Sequence, residues 1–279
     1  SSTQGEAASM STLNVVRKVA QDALFVSEPN PFMFGNGSNP RGNASWTNAN
    51  WLKSRFHFAF AEYRNPGNSR FGVLRVMNDD LVQPDRGFGA HPHANMEIVT
   101  YVVHGELTHK DSMGNQESIP RGSVQFMSAG TGVVHSEFNK STSEPLRFIQ
   151  MWVLPRKQNV PVNYGSLHGD LSSRHNKWQH LVSDRASSYK TPIKIEQDAN
   201  FYVAELDEGV AVDLDLRANR QAYLLCIEGS VSIEATTEDA VCAEKLDEHD
   251  ASELFGPASF TFAAEPGGAH VLVVEMEKD

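Results

Sequence analysis

The sequence predicts an all-β chain built from two antiparallel β-barrels of the jelly-roll-like kind. Three observations favour this fold class. Short apolar runs of strand character follow one another closely in residues 56–155 and again in residues 201–275, and clusters of Gly, Pro, Asn and Asp separate them. No long pattern with the 3.6-residue period of a helix lies between these runs. The second region also resembles a divergent copy of the first, as expected for an internal duplication.

The chain begins with a small, polar stretch, residues 1–12, which we expect to be a disordered tail. Residues 28–50 are rich in Asn, Gly, Ser and Pro, and we interpret them as a surface loop or an entry flap. We place the first domain at residues 13–155 and the second at residues 156–279. The start of the second domain is mixed and polar, and we expect a short helix there, near residues 178–188.

The first β region carries five runs in which apolar residues alternate with small or polar ones, or form a short continuous stretch. They are FHFAFAEY (56–63), FGVLRVMND (71–79), EIVTYVVHGELTH (97–109), SVQFMSAG (123–130) and LRFIQMWVLP (146–155).

The repeat in the second region is anchored on glycines. Residues 223–229 resemble residues 100–105, and the run that starts at Gly256 resembles the run that starts at Gly122. The offsets between the copies are 124 at the first anchor (229 minus 105) and 134 at the second (256 minus 122). The copies therefore differ by an insertion, which we place within residues 234–253.

Charge excludes some classes of function. Lys plus Arg is 24 and Asp plus Glu is 35, which gives a net charge of −11, whereas nucleic acid and anionic membranes attract basic surfaces. Residues 234–253 hold eight acids against one lysine, or −7, which leaves −4 for the rest of the chain. The exclusion of direct nucleic-acid binding is therefore stronger for the second domain than for the first.

The sequence also bears on location. No apolar run approaches the roughly 20 residues of a membrane helix, and the two cysteines, Cys226 and Cys242, are too few for a disulfide framework. We expect a cytoplasmic monomer without a membrane partner; a nuclear location is the alternative for a eukaryotic source.

One motif suggests metal chemistry. His91 and His93 flank Pro92 in a strand-like stretch, and residues i and i+2 of a strand face the same side. Both imidazoles can therefore converge on one point, and the same parity predicts that Asn95 and Glu97 line that face.

A second pair follows 42 residues after His93, where His135 and Glu137 repeat the i, i+2 spacing. Taken alone, each pair is better explained as solvated loop or strand-end residues. Together they place three nitrogens and one oxygen around a metal ion, a set that suits Fe(II), Mn(II), Ni(II), Cu(II) or Zn(II). Zinc accepts four ligands as a closed tetrahedron, so a site open to substrate and O2 favours iron.

These residues resemble the two motifs of a cupin domain, and together with the internal duplication this resemblance implies a bicupin. The matching residues are Gly87, His91, His93, Glu97 and Gly105 in the first motif, and Gly122, Gly130, His135 and Asn139 in the second. More narrowly, residues 87–115 (GFGAHPHANMEIVTYVVHGELTHKDSMGN) and residues 125–139 (QFMSAGTGVVHSEFN) are similar to the pirin family, in particular to bacterial pirin-like quercetin 2,3-dioxygenases.

The resemblance implies that His91, His93, His135 and Glu137 are the ligands of one divalent metal ion, and we favour Fe(II). In many other cupins the first-motif glutamate, here Glu97, is a ligand instead. Because His135-Ser136-Glu137 matches the pirin motif, we expect Glu97 to hydrogen-bond behind the ligands or within the core.

Four more residues are candidates for the pocket. We interpret His109 as a hairpin hydrogen-bonding residue, with the pocket mouth as its alternative place. Phe88, Phe126 and Trp152 are core residues by default and can also wall a pocket for an aromatic substrate.

The second domain has lost the motif. The glycine alignment places Asp215 and Arg217 at the positions of His91 and His93, and His270 near the position of His135. We therefore expect one metal ion per chain.

The resemblance implies a dioxygenase that cleaves a flavonol such as quercetin, or a similar enolic aromatic, with O2. Glu137 is then also the candidate general base. The alternative is an iron-binding, redox-sensing transcriptional co-regulator that acts through protein partners, since eukaryotic pirin resembles such a protein. Because a fold does not determine a function, the metal site is the firmer expectation.

Overall fold

The computed structural model describes residues 14–38 and 50–279. The predicted tail, residues 1–12, and residues 39–49 of the predicted loop lie outside the described residues. The described chain is almost entirely β, with one α-helix, α1 (Leu171–Arg174), and two 3-10 turns (Gln21–Ala23 and Met33–Gly35). None of these helical segments is long and apolar enough to span a bilayer.

The strands follow the predicted pattern of short, closely spaced elements. They are β1 (Val16–Val19), β2 (Phe25–Ser27), β3 (Leu52–Phe56), β4 (Leu74–Val82), β5 (Arg86–His93), β6 (Glu97–His104), β7 (Glu106–Asp111), β8 (Gln116–Pro120), β9 (Val124–Ser128), β10 (Val133–Asn139), β11 (Leu146–Val153), β12 (Asn163–Leu167), β13 (Gln179–Asp184), β14 (Ile193–Ile195), β15 (Ala199–Leu206), β16 (Ala211–Leu216), β17 (Arg220–Thr236), β18 (Val241–Asp247), β19 (Ala251–Phe255) and β20 (Ala258–Glu277).

The first domain is a sandwich of two sheets. A seven-stranded sheet has the order β12-β9-β6-β11-β4-β3-β2, and a four-stranded sheet has the order β5-β10-β7-β8. Buried side chains from both sheets, among them Val102, Leu107 and Phe148, form the core between them. The alternation of strand residues produces this arrangement, because it directs every second side chain of β6 to this core.

The other face of the seven-stranded sheet is also buried. Val99, Tyr101 and Ile149 on this face pack with Phe201 and Leu272 of the second domain in one continuous cluster. The sheet therefore has apolar side chains on both faces, and the two domains share a core.

The second domain is one nine-stranded sheet with the order β1-β19-β17-β20-β15-β13-β14, in which β16 pairs with β20 and β18 pairs with β17. Its strand pairs are antiparallel except for β13 and β14. The long strands β17 and β20 contribute to more than one pairing, and their two halves enclose a second apolar cluster. Strand β1, from the start of the described chain, pairs with β19.

Three expectations need correction. Among the described residues, the strand pairing forms open sheets instead of the expected closed barrels. The expected helix near residues 178–188 is wrong: the helix is α1, whose cap Asp170 accepts from the Ser172 amide, and β13 occupies the predicted range. The run 56–63 belongs to a strand only at Phe56, because the chain bends at residues 57–58 and turns again at Ala61, which has φ 48°.

The strand pairing also corrects the alignment of the two domains. Strand β10 lies between β5 and β7, and residues 258–264 of β20 lie between β16 and β17. Ser259 pairs with Asp215 in this arrangement, as His135 pairs with His91. Ser259 is therefore the counterpart of His135, and the assignment of His270 to that position is wrong.

His270 instead lies at the domain interface, on the second half of β20. It is 2 % exposed, and it hydrogen-bonds Tyr101 Oη and Glu228 Oε2 at 2.8 and 2.9 Å. An analogous contact involves Arg147 of β11, which binds Asp79 through two hydrogen bonds and reaches Glu248 of the second domain.

Candidate metal centre

Three histidines converge at one end of the four-stranded sheet. His91 and His93 lie on β5, and His135 lies on the neighbouring β10, directly opposite His91 in the register. One ring nitrogen from each lies within 4.8 Å of the other two. In residues 14–38 and 50–279 this is the one group of three or more His, Cys, Asp or Glu side chains with such a geometry.

The ring nitrogens are prepared for a metal ion. His91 Nδ1 lies 2.7 Å from the Gly89 carbonyl oxygen, and only a protonated nitrogen can donate to a carbonyl, so His91 Nε2 carries a lone pair. This Nε2 faces His135 Nε2 at 3.0 Å. His93 Nε2 is buried and has no hydrogen-bond partner. Ring nitrogens that converge in this way fit a divalent transition metal ion.

Burial keeps two of these imidazoles, His93 and His135, neutral. Desolvation, together with the neighbouring His135 and His91, lowers the pKa of His93 to about 4. Desolvation and the neighbouring His91 lower the pKa of His135 to about 3. Because the metal ion binds the neutral ring, protons do not compete for these two ligands near neutral pH.

Glu137 lies beside this group without belonging to it. A register shift separates it from His135 on β10. Glu137 is 2 % exposed, and its carboxylate lies outside the set of three nitrogens. Gln150 Nε2 donates to both of its oxygens, at 3.0 and 2.8 Å. Thr100 Oγ1 and Gln125 Nε2 lie 3.5 and 3.4 Å from Glu137 Oε1. These side chains fix the orientation of the carboxylate.

Two of the predicted pocket residues contact the histidines. The Trp152 ring meets His93 edge-on with centroids 4.9 Å apart, and the Phe88 and His91 centroids are 6.4 Å apart. Phe88 also packs against Trp51 and Phe148 in the core. Aromatic rings therefore lie beside two of the three histidines.

His109 lies directly behind His135. It is 1 % exposed, its ring centroid is 5.5 Å from that of His135, and it stacks on Tyr164. Its Nε2 lies 2.8 Å from Asp111 Oδ2, while its Nδ1 is buried without a partner. His109 is thus buried against a proposed ligand and does not lie at the pocket mouth.

Three other candidates lie elsewhere. Glu97 is on the face of β6 that packs against the second domain, where it accepts from Ser128 Oγ at 2.6 Å and burial raises its pKa. Asn95 forms the turn before β6, with φ 51°, and this turn breaks the strand parity that predicted a shared face. Phe126 packs in the core between the domains.

Sequence reasoning missed several contributors. Gln150 is a polar residue in the otherwise apolar run of β11, and that contrast was a usable signal. Phe34 and Trp51 approach the site from the segment before β3: the Phe34 ring centroid lies 6.0 Å from both His91 and Trp51. No local pattern indicates that contact.

The chain is similar to several known proteins. Residues 39–153 match the family model described as Pirin, and residues 181–276 match the model described as Quercetinase C-terminal cupin domain. The chain is 37% identical over 239 residues to a putative quercetin 2,3-dioxygenase of Zymomonas mobilis, covering 86% of this chain and 97% of that protein. It is 37% identical over 207 residues to a quercetin 2,3-dioxygenase of Escherichia coli, covering 73% and 86%.

The fold agrees as well. The crystal structure of the bacterial pirin YhhW from E. coli in complex with nickel(II) superposes with a TM-score of 0.76 at 28% identity, and the match covers 95% of this chain and 100% of that one.

Proposed function

The chain belongs to the pirin family, and on that premise we propose that it is a metal-dependent dioxygenase that cleaves a flavonol such as quercetin, or a similar enolic aromatic compound, with O2. The observation that carries the proposal is the convergence of three histidine ring nitrogens beside a carboxylate and between aromatic rings. Relatives that carry the name quercetin 2,3-dioxygenase support the reaction class.

We propose that His91, His93 and His135 hold one divalent metal ion, Fe(II) by preference, and that Glu137 is the fourth ligand. Mn, Ni, Cu and Zn suit the same set. When bound, such an ion is a Lewis acid that lowers the pKa of a coordinated hydroxyl group and leaves positions open for substrate and O2.

Glu137 has a second role in this proposal, as the base that takes the proton of the substrate hydroxyl. Gln150 donates to both carboxylate oxygens, so the group is held in one orientation and needs no reorganisation to accept a proton. Glu137 is 2 % exposed, and the exclusion of water strengthens these interactions.

Trp152 and Phe88 would flank the planar rings of the substrate. Aromatic pairs prefer edge-to-face or offset contacts, and the edge-on contact between Trp152 and His93 leaves the indole beside the site. Its Nε1 donates to Gln150 Oε1 at 3.2 Å. Trp152 is therefore linked to the Gln150 amide that orients Glu137.

The test is metal analysis of the purified protein, followed by anaerobic reconstitution with each of the five metals and measurement of quercetin consumption under O2. We expect His91→Ala and Glu137→Gln to lower metal content or turnover by at least tenfold. His104→Ala is the matched control, because His104 is an exposed histidine of the same domain. Quercetin consumption that is unchanged in His91→Ala would refute the proposal.

A further inference from the structure

A short turn between β2 and β3 lies against the candidate metal centre. In the 3-10 turn Met33–Gly35, the Phe34 ring lies 6.0 Å from the His91 ring. A Cβ atom added to Gly89 would come within 2.9 Å of Phe34 Cδ1, so the ring rests directly on the Gly89 backbone. Gly89 also provides the carbonyl that holds His91 Nδ1. Phe34 therefore borders the outer side of a proposed metal ligand.

The position of Phe34 is fixed from both sides. After it, Asn36 donates to the Gly87 carbonyl at 2.8 Å and accepts from the Gly87 amide at 2.9 Å. Before it, Trp51 Nε1 donates to the Asn30 carbonyl at 3.2 Å. These contacts attach the turn to β5 and to the core, so the ring is held at the site by the fold.

Packing alone does not account for a phenylalanine here. The backbone of Phe34 has φ 55° and ψ 17°, a conformation that is unfavourable for a bulky residue and that glycine adopts freely. The side chain nevertheless remains 46% exposed. A strained backbone that presents a half-exposed ring beside a metal site is the type of feature that clusters at functional sites.

We propose that Phe34 is a specificity-determining residue whose exposed face contacts an aromatic ring of the substrate. With Trp152 beside His93, it provides aromatic contacts beside two proposed ligands, which selects extended, multi-ring enols such as flavonols over single-ring ones. This inference rests on the proposed function, since it takes the substrate to bind at the metal centre.

The experiment measures quercetin binding to the metal-loaded protein without O2, then kcat and KM with O2. We expect Phe34→Ala to weaken quercetin binding about 2- to 12-fold, the range of a lost aromatic contact, and to raise KM with little change in kcat. Phe34→Tyr keeps the ring and should stay within about twofold of the wild type. Phe32→Ala is the control, because Phe32 is a 75% exposed ring on the same segment.

Two further measurements are made on each variant: its affinity for a single-ring 3-hydroxy-4-pyranone and its metal content. Phe34→Ala should leave both the affinity for the pyranone and the metal content unchanged. Equal quercetin affinity in wild type and Phe34→Ala, equal weakening for the pyranone, or loss of the metal would overturn the inference.

The two proposals fail differently. If the wild type binds quercetin with Phe34-dependent affinity but does not consume it with O2, the proposed reaction is wrong and this inference stands. If the wild type does not bind quercetin, both are wrong.

Discussion

Replacement of His135 by glutamine tests whether burial holds the His135 imidazole neutral. In the folded protein, burial and His91 lower the pKa of His135 to about 3, from the ordinary value of 6.5. The unfolded chain therefore takes up a proton at this residue as the pH falls through about 6.5, while the folded chain does not. The free energy of unfolding must therefore decrease as the pH decreases through this range.

The magnitude follows from the two pKa values. Between about pH 7.5 and about pH 4.5, proton uptake at one such histidine stabilises the unfolded state by about 2.7 kcal/mol. His135 is 3 % exposed, so screening by water reduces this little. Burial raises the pKa of Asp80 to about 8, which acts in the opposite direction, but that contribution is common to both proteins and cancels in their difference.

The assay is urea-induced unfolding of the metal-free protein at both pH values, and tryptophan fluorescence monitors the transition. We expect the free energy of unfolding to fall by about 2 to 3 kcal/mol more in the wild type than in His135→Gln. His104→Gln, a substitution at an exposed histidine, should follow the wild type. If wild type and His135→Gln lose stability in parallel, within about 0.5 kcal/mol, then the His135 imidazole is not held neutral by burial and the reasoning fails.

Three further outcomes are expected. Gln150→Leu removes both hydrogen bonds to Glu137 and should lower metal affinity about 10- to 100-fold in a chelator competition; an unchanged affinity contradicts the role of Gln150. Arg147→Met leaves the buried Asp79 carboxylate without its cation and should cost about 3 to 5 kcal/mol in urea unfolding, whereas the double variant with Asp79→Asn should recover most of this. Phe34→Gly should be more stable than Phe34→Ala by about 1 kcal/mol, because glycine tolerates the positive φ; equal stability would show that the backbone is unstrained.

The three histidines could be predicted because their geometry depends on local alternation. His91 and His93 share a face through strand parity alone, and only the neighbouring position of the second strand had to be assumed. The same rule failed at Glu97, because the chain leaves the strand conformation at Asn95 and parity restarts in β6. Parity is valid within a strand and carries no information across a turn.

Contacts between distant segments could not be predicted. Phe34 reaches His91 across 57 positions (91 minus 34) through a turn whose place depends on Asn36 and β5. The sequence alignment of the second domain on the first failed for a related reason. Gly122 and Gly256 both precede apolar runs, so they look equivalent in sequence. Only the pairing of β16, β17 and β20 shows that the two runs form different strands of the fold.

The burial of the seven-stranded sheet on both faces shapes what evolution can change in this chain. Side chains of β15, β17 and β20 that cover the first domain are held by packing, so substitutions there are costly whether or not the second domain has any chemistry of its own. Asp215 and Ser259, which pair with each other at the counterpart of the candidate metal centre, are exposed and carry no such packing restriction. The second domain can therefore support the first through its contact face alone, without a metal site of its own.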